Sequence, residues 1–117
     1  MSSTSSGFVP SGGSGALVLE SRESAEARGA TIYAEILGGQ VNSGGQRGTG
    51  TMTAPNSAAV VRCITDAMRH ADVDADEIDL ISGHLTSTKG DTIEVKNWVN
   101  AMGRSGDDFP FIYAPKA

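Results

Sequence analysis

His84 is the residue around which chemistry-bearing side chains gather in this sequence. It follows a short apolar run, Ile78, Leu80 and Ile81, and is itself followed by Thr86, Thr88 and a Gly90-Asp91 step. Imidazole can donate or accept a proton under ordinary conditions, which suits it to proton transfer and to hydrogen bonding of developing charge. Residues two apart in an extended loop share a side, so the hydroxyls of Thr86 and Thr88 can together hold a polar ligand chain. Gly90-Asp91 can open a helix, and Glu94 lies one turn beyond it. Lys116 closes the last apolar run beside Ala114 and Ala117, where it can pair with a carboxylate. Strand ends, small polar loops and helix starts are where α/β proteins collect ligands and catalytic groups. A lone histidine at a strand end more often just bonds a backbone carbonyl. The two hydroxyls, the glutamate and the lysine are what make His84 a candidate site.

Other motifs carry less. Gly45 to Thr51 has the spacing of a phosphate loop but lacks its lysine, and Pro55 follows where a helix should start, so it reads as a surface loop. Gly12, Gly13 and Gly15 precede a strand rather than follow one, unlike a dinucleotide fingerprint. Cys63 falls mid-helix without a histidine neighbour and reads as a packing residue. Cys63, His70 and His84 match no metal-ligand spacing, so no metal is expected. His70, near a helix end, can interact with the helix dipole there.

Strands and helices must position these groups. Ala16–Glu20 reads as a short buried strand. Ser21 caps a helix over residues 22–28, and Gly29 ends it in the left-handed conformation. Residues 31–37 alternate, with Ile32, Ala34 and Ile36 on one side, which predicts a strand half-buried on that face. A glycine-rich loop spans 38–55. Asn56 caps a second helix through about His70, with Val60, Ile64, Ala67 and Met68 on its apolar face. An acidic turn (72–77) leads to a strand over 79–83. A third helix runs from about Asp91 to Met102 with Val95, Trp98, Val99 and Met102 aligned, and Gly103 ends it. Residues 109–114 form the last strand. Alternating strands and helices predict an α/β sheet covered by helices.

Composition narrows the function classes. The 117 residues carry a net charge of -5 with no basic stripe, which disfavours nucleic-acid binding. No apolar run is long enough to span a membrane. With a single cysteine no internal disulfide can form, and a reducing, cytoplasmic setting is expected. Residues 1–6 form a Ser/Thr-rich stretch that lacks the pattern of a secretory signal and reads as a disordered leader. The first strand starts early and the last stops near Lys116-Ala117, so the chain reads as cut at both ends.

Several segments together resemble the β-ketoacyl-acyl-carrier-protein synthases: Gly7-Phe8-Val9-Pro10-Ser11-Gly12-Gly13-Ser14-Gly15-Ala16-Leu17-Val18-Leu19-Glu20, then Ala27-Arg28-Gly29-Ala30 and Ile32-Tyr33-Ala34-Glu35, then Thr53-Ala54-Pro55, and Ile78-Asp79-Leu80-Ile81-Ser82-Gly83-His84 entering the Thr-x-Thr loop and Gly90-Asp91-x-x-Glu94. The resemblance implies α/β architecture forming part of the C-terminal half of a thiolase-like fold, a mixed sheet covered by helices. Residues 7–117 would be a partial domain of that kind, truncated at both ends. It also implies a homodimeric parent that takes an acyl group onto a cysteine, decarboxylates malonyl-carrier protein and joins the two in fatty-acid or polyketide synthesis.

By the same resemblance His84 is the first active-site histidine, a neutral imidazole that donates to the malonyl thioester oxygen. Thr86 and Thr88 match the threonines that hold the phosphopantetheine arm. That arm arrives on the acyl-carrier protein, so no resident cofactor is implied. Lys116 matches the lysine before the second histidine, and Glu94 the acid associated with that lysine. Leu85 stands where the family usually has glycine, which narrows the loop's freedom. The nucleophilic cysteine and second histidine are not among these 117 residues, so the chain alone is expected to be inactive. The alternatives are a non-catalytic dimerisation or interaction module, half of a split enzyme, or a thioester-binding domain using Thr86 and Thr88.

Overall fold

A computed structural model describes residues 10–44 and 56–116. The leader, the start of the resemblance at residues 7–9, the phosphate-loop reading of 45–51, the Thr53-Ala54-Pro55 segment and Ala117 lie outside the described residues. The described residues fall into two compact units, one up to Ile36 and one from Leu37 onward.

In the first unit, helix α1 spans Arg22–Ala27. The Ser21 hydroxyl accepts the Ser24 N–H at 3.2 Å, the cap expected from its position. Gly29 follows at φ 65°, the left-handed turn that glycine adopts without steric cost. Ala25 is buried, while Arg28 and Glu20 form an ion pair. The strands expected at 16–20 and 31–37 do not form among the described residues. Leu17 is 90% exposed and Tyr33 95%. An apolar run can declare which face seeks burial, but a strand is held by ladder bonds to a neighbour, and no described segment supplies one.

The second unit carries the rest of the architecture. Helix α2 spans Ser57–Ala71, with the Asn56 side chain accepting the Ala58 N–H at 3.1 Å. Strand β1 (Leu80–Ser82), helix α3 (Gly90–Met102) and strand β2 (Phe111–Tyr113) follow. β1 and β2 pair in parallel, Leu80 opposite Phe111 and Ser82 opposite Tyr113. Parallel neighbours require a crossover, and α3 provides it. Two further bonds, Phe111 N–H to Asp79 O and Gly83 N–H to Tyr113 O, both 2.9 Å, carry the pairing over the whole predicted 79–83 stretch.

Packing follows the predicted faces. Val60, Ile64, Ala67 and Met68 of α2 are half-buried, as are Val95, Val99 and Met102 of α3. Trp98 is 7% exposed and α3 packs on α2. Residues 38–42 lie along α2. His70 Nδ1 sits 2.8 Å from Gly39 O, the Cys63 thiol donates to Gln40 O at 3.4 Å, and Asn42 Nδ2 donates to Ala59 O at 3.0 Å. Cys63 is thus a half-buried packing residue, and His70 ties down a loop in addition to standing at a helix end.

Past α3, Gly103 turns the chain at φ 69° and Arg104 folds back. Its Nη1 donates to Ala75 O at 2.6 Å and Ile78 O at 2.8 Å, and its Nε to Asp108 O at 2.9 Å. One guanidinium therefore joins the turn before β1 to the turn before β2, which aligns the two strand starts.

Candidate active site

The site grows from the C-terminal ends of β1 and β2. Because the strands are parallel, both chains leave the sheet on the same side. Residues just past Ser82 and just past Tyr113 therefore meet. His84 is one such residue and Lys116 the other, and Lys116 Nζ lies 3.4 Å from His84 Nδ1. Both side chains are exposed. Residues 32 positions apart are brought together by the crossover alone.

The loop after His84 is organised by Asp91 in the first turn of α3. Its Oδ1 accepts the Thr86 N–H at 3.0 Å and its Oδ2 the Thr88 N–H at 3.2 Å. The Thr86 bond is the chief reason the Asp91 carboxyl sits below its ordinary value of 3.8; bonds from Thr88 and Ser87 add to it against a desolvation push in the other direction. Thr86 and Thr88 place their hydroxyl oxygens 3.1 Å apart; the left-handed turn at Ser87 between them, and not the alternation of an extended loop, brings them together. The Thr88 hydroxyl also accepts the Gly90 N–H at 3.3 Å and so helps cap α3. Asp91 therefore does more than open the helix, the role that its place after Gly90 predicts. Its spacing from Thr88, three residues, was the signal for a carboxylate that reaches back over a loop.

Leu85, where the family usually has glycine, does not take the left-handed conformation. Ser87 does, at φ 59°. The loop makes its tight turn two residues later, where a short polar side chain tolerates it better than leucine would.

Glu94 corrects one expectation. Its Oε1 accepts the His84 backbone N–H at 2.7 Å, and no ion pair joins it to Lys116 among the described residues. From the second turn of α3 the carboxylate meets the end of β1 first, and a strand-end amide without a ladder partner is a ready donor. Lys116 instead contacts the imidazole. His84, Glu94 and Lys116 are thus joined at the strand ends, with the glutamate holding the His84 backbone, while Thr86 and Thr88 are held by Asp91.

The arrangement has a definite chemical capacity. If the Lys116 ammonium donates to Nδ1, that nitrogen is an acceptor and the imidazole proton resides on Nε2. The ring then presents a neutral N–H donor on its far side. The paired threonine hydroxyls, further along the same loop, offer donors and acceptors to a polar chain.

The family profile described as the beta-ketoacyl synthase, C-terminal domain, matches residues 33–117. The chain is 43% identical over 112 residues to 3-oxoacyl-[acyl-carrier-protein] synthase 1 of Escherichia coli strain K12, covering 95% of this chain and 25% of that protein. It is 39% identical over 100 residues to the chloroplastic 3-oxoacyl-[acyl-carrier-protein] synthase II of Arabidopsis thaliana, covering 85% of this chain and 18% of the relative. Among solved structures, the oxazolomycin ketosynthase domain of Streptomyces albus JA3453 superimposes with a TM-score of 0.70 at 30% identity, over 81% of this chain and 17% of that one. The chain thus spans a quarter or less of the length of these relatives. Its α/β architecture is part of a thiolase-like ketosynthase fold, as the resemblance implied.

Proposed function

Since the chain belongs to the β-ketoacyl synthase family, as part of its C-terminal domain, we propose that it contributes the decarboxylating half of an acyl-condensing site. The observation that supports this reading is the Lys116 contact on His84 Nδ1 at 3.4 Å; in the proposed site the ammonium donates to Nδ1, and a neutral ring then carries its proton on Nε2. In the proposed reaction the malonyl carboxylate leaves as carbon dioxide. The electron pair of the broken C–C bond moves into the thioester, whose oxygen gains negative charge. His84 Nε2–H stabilises that oxygen where the charge develops, which lowers the barrier rather than merely binding substrate. The enolate carbon then attacks an acyl thioester held on a cysteine, and the thiolate leaves.

Thr86 and Thr88 would hold the phosphopantetheine arm, delivered by an acyl-carrier protein as partner. No resident cofactor is needed for these steps. Glu94 fixes the backbone that aims His84, and Lys116 fixes its tautomer. Cys63, on α2 and bonded to Gln40 O, does not act as the nucleophile. The acyl-bearing thiol comes from the family's first half, so the 117 residues alone do not condense substrates. The same reading takes 7–117 as one partial domain after a leader, within a homodimeric parent. No helix among the described residues is long and apolar enough to cross a membrane, and the proposed setting is the cytoplasm.

The test joins this chain to the thiol-bearing half of the Escherichia coli relative and follows carbon dioxide release from malonyl-carrier protein. Decarboxylation should appear in the joined protein and be lost in its His84→Ala variant. Release that survives His84→Ala at the parental rate removes the imidazole from the mechanism.

A second reading is favoured by one observation. Leu80, Phe111 and Tyr113 on the two-stranded sheet are exposed, with Phe111 at 80%. Apolar sheet surface invites association, so the chain could act as a non-catalytic interaction module. A monomer by sedimentation at high concentration, with no retained partner, would exclude that.

A further inference from the structure

Gly83 and Trp98 are in close contact at the end of β1. A Cβ added at Gly83 would lie 2.5 Å from Trp98 Cη2 and 2.9 Å from Cζ2. Such distances are well inside van der Waals contact, so the indole edge rests directly on the backbone preceding His84. Gly83 is present for this reason and not for its φ, since it is absent from the positive-φ glycines. Trp98 is 7% exposed and anchored in the packing of α3, so the indole cannot easily retreat. The same hypothetical Cβ would lie 3.5 Å from Glu94 Oε1. Glu94 and Trp98 are four residues apart on α3 and so share a face. One takes the His84 N–H at 2.7 Å, and the other bears on the Gly83 backbone one residue earlier. The Gly83 N–H is bonded in turn to Tyr113 O, three residues before Lys116.

Resting on the reading of His84 as the hydrogen-bond donor to the thioester, we propose that Trp98 is a positioning residue for that imidazole, acting through its close contact with Gly83. The backbone from Gly83 to His84 is held on three sides: by β2 through the ladder bond, by Glu94 through the His84 amide, and by the indole through steric contact. Any side chain at 83 must displace either the indole or the strand end. Displacing the strand end lengthens the Glu94 bond and moves the imidazole away from Lys116. Size complementarity between 83 and 98 is therefore coupled to the geometry of 84, although neither residue touches the substrate.

The experiment is a pairwise cycle in the full 117-residue chain, read by NMR. Four proteins are compared: the parent, Gly83→Ala, Trp98→Leu, and the double variant. The His84 imidazole nitrogen shifts report its tautomer and its contact with Lys116, and the exchange rate of the His84 amide reports the Glu94 bond. Gly83→Ala should move the imidazole nitrogen signals and speed amide exchange by about tenfold, the ratio one hydrogen bond of ordinary net strength controls. The double variant should return both readouts toward the parent, because a shorter side chain at 98 admits the added methyl. Unchanged His84 signals in Gly83→Ala, or a double variant as perturbed as the single, would overturn the proposal. If Gly83→Ala does not fold, Trp98→Leu carries the test: faster His84 exchange with α2 amides unchanged supports it, and parental His84 exchange refutes it. These readouts need no catalysis. Loss of decarboxylation with His84→Ala, measured separately in the joined enzyme, tests the mechanistic reading, so the two can fail independently.

Discussion

Replacing Glu94 by alanine isolates the bond that holds the backbone of the candidate catalytic residue. The carboxylate accepts the His84 amide at 2.7 Å, a length typical of a charge-assisted pair. Hydrogen bonds to charged groups contribute about 1.5–3 kcal/mol net. His84 is exposed and Glu94 half-buried, so water competes and the lower end applies, about 1.5 kcal/mol for Glu94→Ala. Glu94→Gln keeps an acceptor oxygen without the charge and should cost about half as much, since neutral bonds have roughly half the strength. Urea denaturation gives the stability, and amide exchange at His84 gives the local effect. At about 1.4 kcal/mol per tenfold, exchange should quicken by about tenfold in the alanine variant and about threefold in the glutamine variant. Equal exchange in all three proteins would show that the carboxylate does not hold this amide. Glutamine as damaging as alanine would show that charge, and not the bond, is what the position supplies.

Two further outcomes follow from the same geometry. Arg104→Ala should lower stability by about 2–3 kcal/mol, because three backbone carbonyls lose a charged donor; a urea midpoint within error of the parent would contradict this. The Asp91 carboxyl is held below its ordinary value of 3.8 in the folded chain, so its stabilisation is fully present above that value. It is lost as pH falls through the lower, folded value. Acid titration should therefore release the Thr86 and Thr88 amides below pH 4, and Asp91→Asn should remove that step; loop amides that loosen near neutrality would contradict the assignment.

What the sequence determined by itself is local. Caps at Ser21 and Asn56, the left-handed stops at Gly29 and Gly103, and the faces of α2 and α3 were all legible, because each depends on residues within a turn or two. Within the segment from His84 to Glu94 the polar residues themselves were legible, but not the reach of Asp91 back over the loop or of Glu94 to the His84 amide. Pairing between distant segments was decided only by the tertiary structure. Ala16–Glu20 and residues 31–37 have strand-like patterns but no ladder partner among the described residues, whereas 79–83 has one in β2. Pattern states a preference for burial, and hydrogen bonds to a neighbour decide whether it is met. The Lys116 contact on His84, the turn of Glu94 toward an amide instead of that lysine, and the indole against Gly83 all arise from the β1–α3–β2 crossover. No spacing along the chain encodes them, because they are set by which strand ends meet and which helix face lies across them.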